Sequence, residues 1–136
     1  MVSTETRQTV IARSGGRCEY CRMDHSLQGA TFHVEHVFPR SAGGSDDAEN
    51  LALACPSCNL HKSDRVAVSP LGSSEPITLF NPRSDLWSDH FEWDEYAIAG
   101  KTPIGIATID ALHLNDQRRQ KIRQAERLFD LFPPED

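Results

Sequence analysis

Four cysteines, set as two C-x-x-C pairs, constrain this chain more than any other feature. Cys18 and Cys21 form the first pair, Cys55 and Cys58 the second. Two intervening residues bring both sulfurs of a pair to one side of a tight turn, so each pair can bite one ion. Together the pairs complete a tetrahedral thiolate shell, with zinc–sulfur distances near ~2.3 Å. All four ligands are protein atoms, which leaves no position for water or substrate and makes the site structural. A lone pair of this type could be a redox couple. Two pairs that use every cysteine of the chain favour zinc. In so short a chain, zinc binding would supply a large share of the folding free energy.

With 136 residues, the chain has room for one compact domain. We expect a core over residues 16–66 and a wrapping extension over 67–136. Apolar residues make up 38% and charged residues 25%, the profile of a globular protein rather than a disordered one. No apolar run approaches the roughly 20 residues needed to cross a membrane. The N-terminus, MVSTETRQTV, lacks the basic start and apolar middle of a secretory signal. The expected location is therefore cytoplasmic, where cysteines serve as metal ligands or thiols rather than disulfides.

The expected fold is α+β. Residues 4–13 read as a helix, capped by Ser3 or Thr4 and ended by Gly15-Gly16, with a thin apolar face of Val10 and Ile11. Residues 31–37 (TFHVEHV) read as a strand, 38–50 as a loop, and Leu51 to Ala54 as a second strand. A helix runs from Pro56 to about Asp64, with proline allowed in its first turn. Residues 66–89 contain the turn-rich run Ser69-Pro70-Leu71-Gly72-Ser73-Ser74 and read as an extended wrap, because Ile77, Leu79, Phe80 and Trp87 need burial. A hairpin over 91–98 and helices over 103–113 and 116–131 complete the chain. In the last helix Ile122, Ala125, Leu128, Phe129 and Phe132 fall at helical spacing and read as a core-facing stripe.

The stretch between the cysteine pairs carries the chemistry. Metal-dependent phosphodiester cleavage needs ligands for a hard cation, a base for water and positive charge for phosphate. Glu35 and Asn59 can supply oxygen ligands, and His36 suits a base near neutral pH. Arg40 and Lys62 can supply the charge, and His61, beside Lys62, can touch phosphate or simply be exposed. His33, two residues before Glu35 on the same strand face, reads as a surface histidine, with an extra ligand or phosphate contact as the alternative. Gly43-Gly44 reads as a turn, and Asp46, Asp47 and Glu49 as solvated charges pointing away from the groove.

From Cys18 to Lys62 the order C-x-x-C, E-H-V-x-P-R-S-x-G-G, N-L, C-x-x-C-N-x-x-K resembles the HNH endonuclease family, in the four-cysteine version of its ββα-metal fold. The resemblance implies a zinc-stapled ββα-metal core, here with an N-terminal helix and a C-terminal helical extension. It makes His36 the first letter of the motif and the general base. Asn50 becomes the middle letter, bracing the loop and orienting His36 through backbone contacts. Asn59 takes the third position as a metal ligand, and Glu35 stands where members carry Asp, Glu or His as the other ligand. Two departures matter: the third letter is Asn59 rather than His, which favours Mg²⁺ or Mn²⁺, and Glu35 is one methylene longer than Asp. The tail from Leu79 to Leu114 resembles that of small stand-alone bacterial members. By the resemblance the chain is an endonuclease that hydrolyses DNA and leaves 5′-phosphate and 3′-hydroxyl ends.

The net charge of −6 runs against a general DNA binder. Basic residues form only local groups, at Arg13, Arg17 and Arg22, around the site, and at Arg118, Arg119, Lys121, Arg123 and Arg127; this last group reads as a solvated helix face. Two rival readings follow: a zinc-dependent nucleic-acid-binding module that does not cut, and a nuclease acting on RNA or branched DNA. A homodimer would ease a double-strand cut, but no interface pattern is visible in the sequence.

Overall fold

The computed structural model describes residues 2–70, 72 and 74–134. Leu71 and Ser73, part of the expected turn run, lie outside the described residues. Strands β1 (His33–His36) and β2 (Leu51–Ala54) pair antiparallel, with His33 opposite Ala54 and His36 opposite Leu51. Helix α2 (Pro56–Lys62) follows β2 directly, with Cys55 as its N-cap and Pro56 in its first turn. This β1–β2–α2 unit is where the sequence pattern placed two strands and a helix. The first strand is shorter than the expected 31–37, because its partner offers only four residues before the chain turns at Cys55.

All four residues of β2 are buried, so the strand is covered on both faces. Helix α1 (Thr4–Ser14) packs against it. Its Ser3 cap accepts from the Thr6 amide at 3.1 Å, and Gly15 closes it at φ 65°. The apolar face is thin, with only Val10 fully buried. Arginines add to the attachment: Arg13 donates to the carbonyls of Ala48 (3.0 Å) and Leu51 (2.8 Å), and Arg7 to that of Phe32 (3.1 Å).

The extension wraps this unit. It comprises the two-residue pair β3 (Ala67–Val68) and β4 (Ile77–Thr78), the short helix α3 (Trp87–His90), the hairpin β5 (Phe91–Asp94) and β6 (Ala97–Gly100), and helices α4 (Pro103–Leu112) and α5 (Gln117–Leu128). Leu79, Phe80, Trp87, Phe91, Ile98 and Leu112 join the cysteines and β2 in one apolar cluster. Trp87 donates its indole N–H to the Tyr20 carbonyl at 2.9 Å, and Thr108 Oγ1 accepts from the Phe80 amide at 2.9 Å. Gly105 lets α4 lie on α3, since a Cβ there would stand 2.1 Å from the His90 carbonyl oxygen. Among the described residues, no helix is long and apolar enough to cross a membrane.

Helix α5 keeps only part of the expected stripe: Ile122 packs partly buried against the core, and Phe132, beyond the helix, meets Trp93 and Tyr96. The buried residues of α5 are Arg119, Arg123 and Glu126, while Leu128 is 83% and Phe129 62% exposed and Ala125 is also exposed. The cause lies in what α5 faces. Arg119 donates to the Leu112 carbonyl (2.7 Å) and Ser57 Oγ (2.8 Å), and Arg123 to the carbonyls of Leu114 (2.6 Å) and Tyr96 (2.7 Å). Glu126 accepts from the Asp24 amide at 2.7 Å. These acceptors lie at the ends of helices and loops and would be orphaned beneath an apolar stripe. Arg119 and Arg123 are therefore not the solvated charges the sequence suggested.

Candidate active site and metal centre

Cys18 and Cys21 sit in a knuckle after α1, and Cys55 and Cys58 at the start of α2. Their four sulfurs lie within 4.8 Å of one another, and all four residues are buried. The Cys21 and Cys55 sulfurs are 3.7 Å apart. A tetrahedral ion with bonds of ~2.3 Å sets sulfurs about 3.8 Å apart, so the cluster fits zinc. Burial pushes the Cys18 and Cys58 thiols well above the ordinary range, so as thiolates they need a cation among them. Arg119 supplies outer charge. Its Nη1 donates to Cys58 Sγ at 3.1 Å, and although burial opposes its charge, the attraction of Cys58 and Cys21 raises its pKa above the ordinary value.

The second site is an open groove lined by His33, Glu35, His36, Arg40 and Asn59, together with Val34, Pro39 and Ser63. Strand β1 supplies the first three of these, and α2 supplies Asn59. The loop between the strands is closed by Asn50. Its Oδ1 accepts from the Phe38 amide at 2.9 Å, and its Nδ2 donates to the carbonyls of Phe38 (2.9 Å) and Ser45 (2.8 Å). Next to this clamp Gly44 is needed for space, because a Cβ would fall 1.9 Å from the Phe38 carbonyl oxygen. The Val37 amide also donates to the Asn50 carbonyl at 2.9 Å, which fixes the backbone just after His36.

Glu35 is 6% exposed at the groove floor. Tyr20 donates its hydroxyl to Oε1, and Lys62 Nζ lies 3.1 Å from Oε2. Burial raises the Glu35 pKa, with Lys62 and Tyr20 working against that rise. Each oxygen that accepts one hydrogen bond keeps a lone pair, and ligating carboxylates are commonly oriented in this way. Among the described residues the side-chain amide of Asn59 makes no hydrogen bond, while its backbone N–H donates to the Cys55 carbonyl at 2.9 Å. The donor set at the groove, two oxygen side chains beside imidazoles, thus fits a hard divalent ion.

Not every expected residue reaches the groove. Lys62 is 2% exposed, and its ammonium is occupied by Glu35 and the carbonyls of His36 (3.4 Å) and Val37 (3.2 Å). This corrects its expected place at phosphate. His61 lies on another face of α2, its ring 4.2 Å from that of His113 and outside the groove lining. Arg40 lines the groove, but its guanidinium bonds both oxygens of Asp46, at 2.9 and 3.0 Å.

Asp46 itself was missed. The sequence reading sent it away from the groove, yet its Oδ1 lies 2.8 Å from His36 Nε2. A carboxylate there can only accept, so Nε2 is the donor to it, and in the neutral imidazole the lone pair then lies on Nδ1. The only local signal was an acidic residue just past the Gly43-Gly44 turn, which brings the chain back toward β1.

The four-cysteine cluster beside a β1–β2–α2 unit is the arrangement that the sequence resemblance implies, and comparison with known proteins agrees. Residues 18–65 match the HNH endonuclease family, so the chain carries an HNH endonuclease domain over that span. The chain is also 30% identical over 112 residues to the Septu protein PtuB of Bacillus thuringiensis, an alignment covering 81% of this chain and 41% of that protein. The chain therefore spans about two fifths of the length of this curated relative. No solved structure matches it significantly.

Proposed function

We propose that the groove is the active site of a metal-dependent endonuclease that hydrolyses DNA phosphodiester bonds and leaves 5′-phosphate and 3′-hydroxyl ends. In this reading, residues 16–66 form the catalytic core and 67–136 the extension that holds it. The observation that supports it most is the convergence of His36, Glu35 and Asn59 on one open groove, with His36 oriented by Asp46 at 2.8 Å. His36 Nδ1 takes the proton from the attacking water, and Asp46 stabilises the imidazolium that forms. Glu35, fixed by Tyr20 and Lys62, and Asn59 would hold a magnesium or manganese ion. When bound, the ion supplies charge stabilisation at the phosphate and the leaving 3′ oxygen. Arg40 turns from Asp46 to the phosphate, and Asn50 keeps the His36–Phe38 backbone in place. Lys62 acts through Glu35 and does not touch substrate.

One observation favours a rival, a nucleic-acid-binding module that does not cut: both Glu35 oxygens already have protein partners. Plasmid nicking with Mg²⁺, Mn²⁺ or EDTA, for wild type beside His36→Ala with zinc content matched, separates the two. Metal-dependent nicking that disappears in the variant supports the nuclease. Equal nicking by both proteins removes His36 as the base, and no cleavage of DNA or RNA by the folded wild type leaves the binding module.

A further inference from the structure

Phe38 is an exposed aromatic ring on a rigid mount. It is 49% exposed, whereas its neighbour Val37 is 5% exposed. Its amide and its carbonyl are both held by the Asn50 side chain at 2.9 Å. Half of the residue is open to solvent, and clamping its backbone on both sides limits the entropy lost when it binds something. It stands two residues from His36.

Phe38 also borders a second concavity of about 160 Å³, lined by Val37, Lys62, Leu79, Phe80 and Asn81 among others and mostly apolar. An apolar cavity of roughly 150 Å³ is large enough for a benzene ring. Val37 and Phe38 line this cavity while His36, Pro39 and Arg40 line the groove, so one short segment borders both. Asn81 Oδ1 accepts from the Arg83 amide at 2.8 Å, and among the described residues its side-chain Nδ2 has no acceptor.

The electrostatics favour a binding mode that needs little positive charge. The chain carries net charge −6, Lys62 is buried, and Arg40 is paired with Asp46. Phosphate neutralisation, the usual source of affinity for duplex DNA, is therefore weak here. Stacking of unpaired bases on aromatic rings is an alternative that tolerates any sequence.

We propose that Phe38 and the cavity it borders receive an unpaired nucleobase next to the scissile phosphate. The preferred substrate is then DNA with an unpaired or unstacked nucleotide at the cleavage point rather than continuous duplex. This rests on the nuclease reading of the groove, and the experiment keeps the two apart. Binding is measured with zinc-loaded His36→Ala protein, without added Mg²⁺ or Mn²⁺. The probes are a fluorescent oligonucleotide with 2-aminopurine at one unpaired position and the same strand fully paired. The expected results are quenching on binding and at least tenfold tighter binding of the unpaired form. Adding Phe38→Ala should remove most of that advantage, on the scale of one stacked base, and Phe38→Trp should keep it. Equal affinity for both probes, or a Phe38→Ala variant of unchanged melt that binds the unpaired probe as before, would overturn the proposal. Those results would leave metal-dependent nicking untouched. Conversely, stacking without any cleavage by wild type would remove the nuclease and keep the base site.

Discussion

The four-cysteine centre and the groove stand only a few residues apart in sequence, since Cys58 adjoins Asn59, yet they are built by opposite rules. At the centre all ligands are buried sulfur, the outer charge is a buried arginine, and no ligand position is left open. In the groove the candidate donors are two oxygen side chains beside imidazoles, the walls are open, and side chains bond in pairs that a substrate could rearrange. The first arrangement suits a stabilising role and the second, in the proposed reading, a reactive one. Placing both on one seven-residue helix makes the position of Asn59 depend on the sulfur anchor one residue away. Lys62 is one shared element of the two regions, lying on the Cys58 side of α2 and reaching back to Glu35, and Tyr20, set between Cys18 and Cys21, is another, donating to the other Glu35 oxygen.

That contrast can be broken most severely at the sulfur centre. Cys18→Ser should abolish cooperative folding, because structural zinc contributes about 10–16 kcal/mol, comparable with the whole stability of a small domain. Zinc analysis together with circular dichroism checks this, and a zinc-loaded variant with a normal melt would refute it. His36→Ala should lower the cleavage rate by about 10²–10⁴-fold while the melting temperature hardly moves. A large loss of stability instead would mean that the groove too is structural. Lys62→Met tests one shared element: removing one partner of a buried pair costs roughly 3–5 kcal/mol, read as a lower urea midpoint. Pairing it with Glu35→Gln should restore part of that loss, and strict additivity would exclude the coupling. Asn59→Ala should raise the Mn²⁺ concentration needed for cleavage by about 10–100-fold at unchanged stability. Arg119→Met should give the smallest effect, a faster transfer of zinc to a chelator with the helical content preserved. An unchanged transfer rate would remove Arg119 from the centre's outer shell.

The parts legible in the sequence were those set by short spacing. The cysteine pairs, β2 and the start of α2 fall where the local pattern put them, because turn chemistry and a capping residue act over a few positions. The place of Lys62 was also readable in principle. Cys58 must face the sulfur cluster, and a residue four positions later lies on the same helix face. Reading Lys62 as a phosphate contact ignored that period. Asp46 and α5 were not readable in this way. Asp46 meets His36 only because the Asn50 clamp and the Gly43-Gly44 turn fold the loop back. The arginines of α5 point inward because their acceptors, the carbonyls of Tyr96, Leu112 and Leu114, come from elements assembled elsewhere in the chain. Apolar periodicity carries no information about acceptors supplied by other segments.

The bond from Arg119 to Cys58 joins positions 61 residues apart. A ribosome adding roughly 5–20 residues per second takes about 3–12 s to cover that interval. During this time a nascent chain exposes four thiols without the arginine that will later offset their charge and without the helix that will cover them. The centre's most vulnerable moment is thus fixed by gene order, and a metal ion captured early would protect the sulfurs from oxidation until α5 arrives.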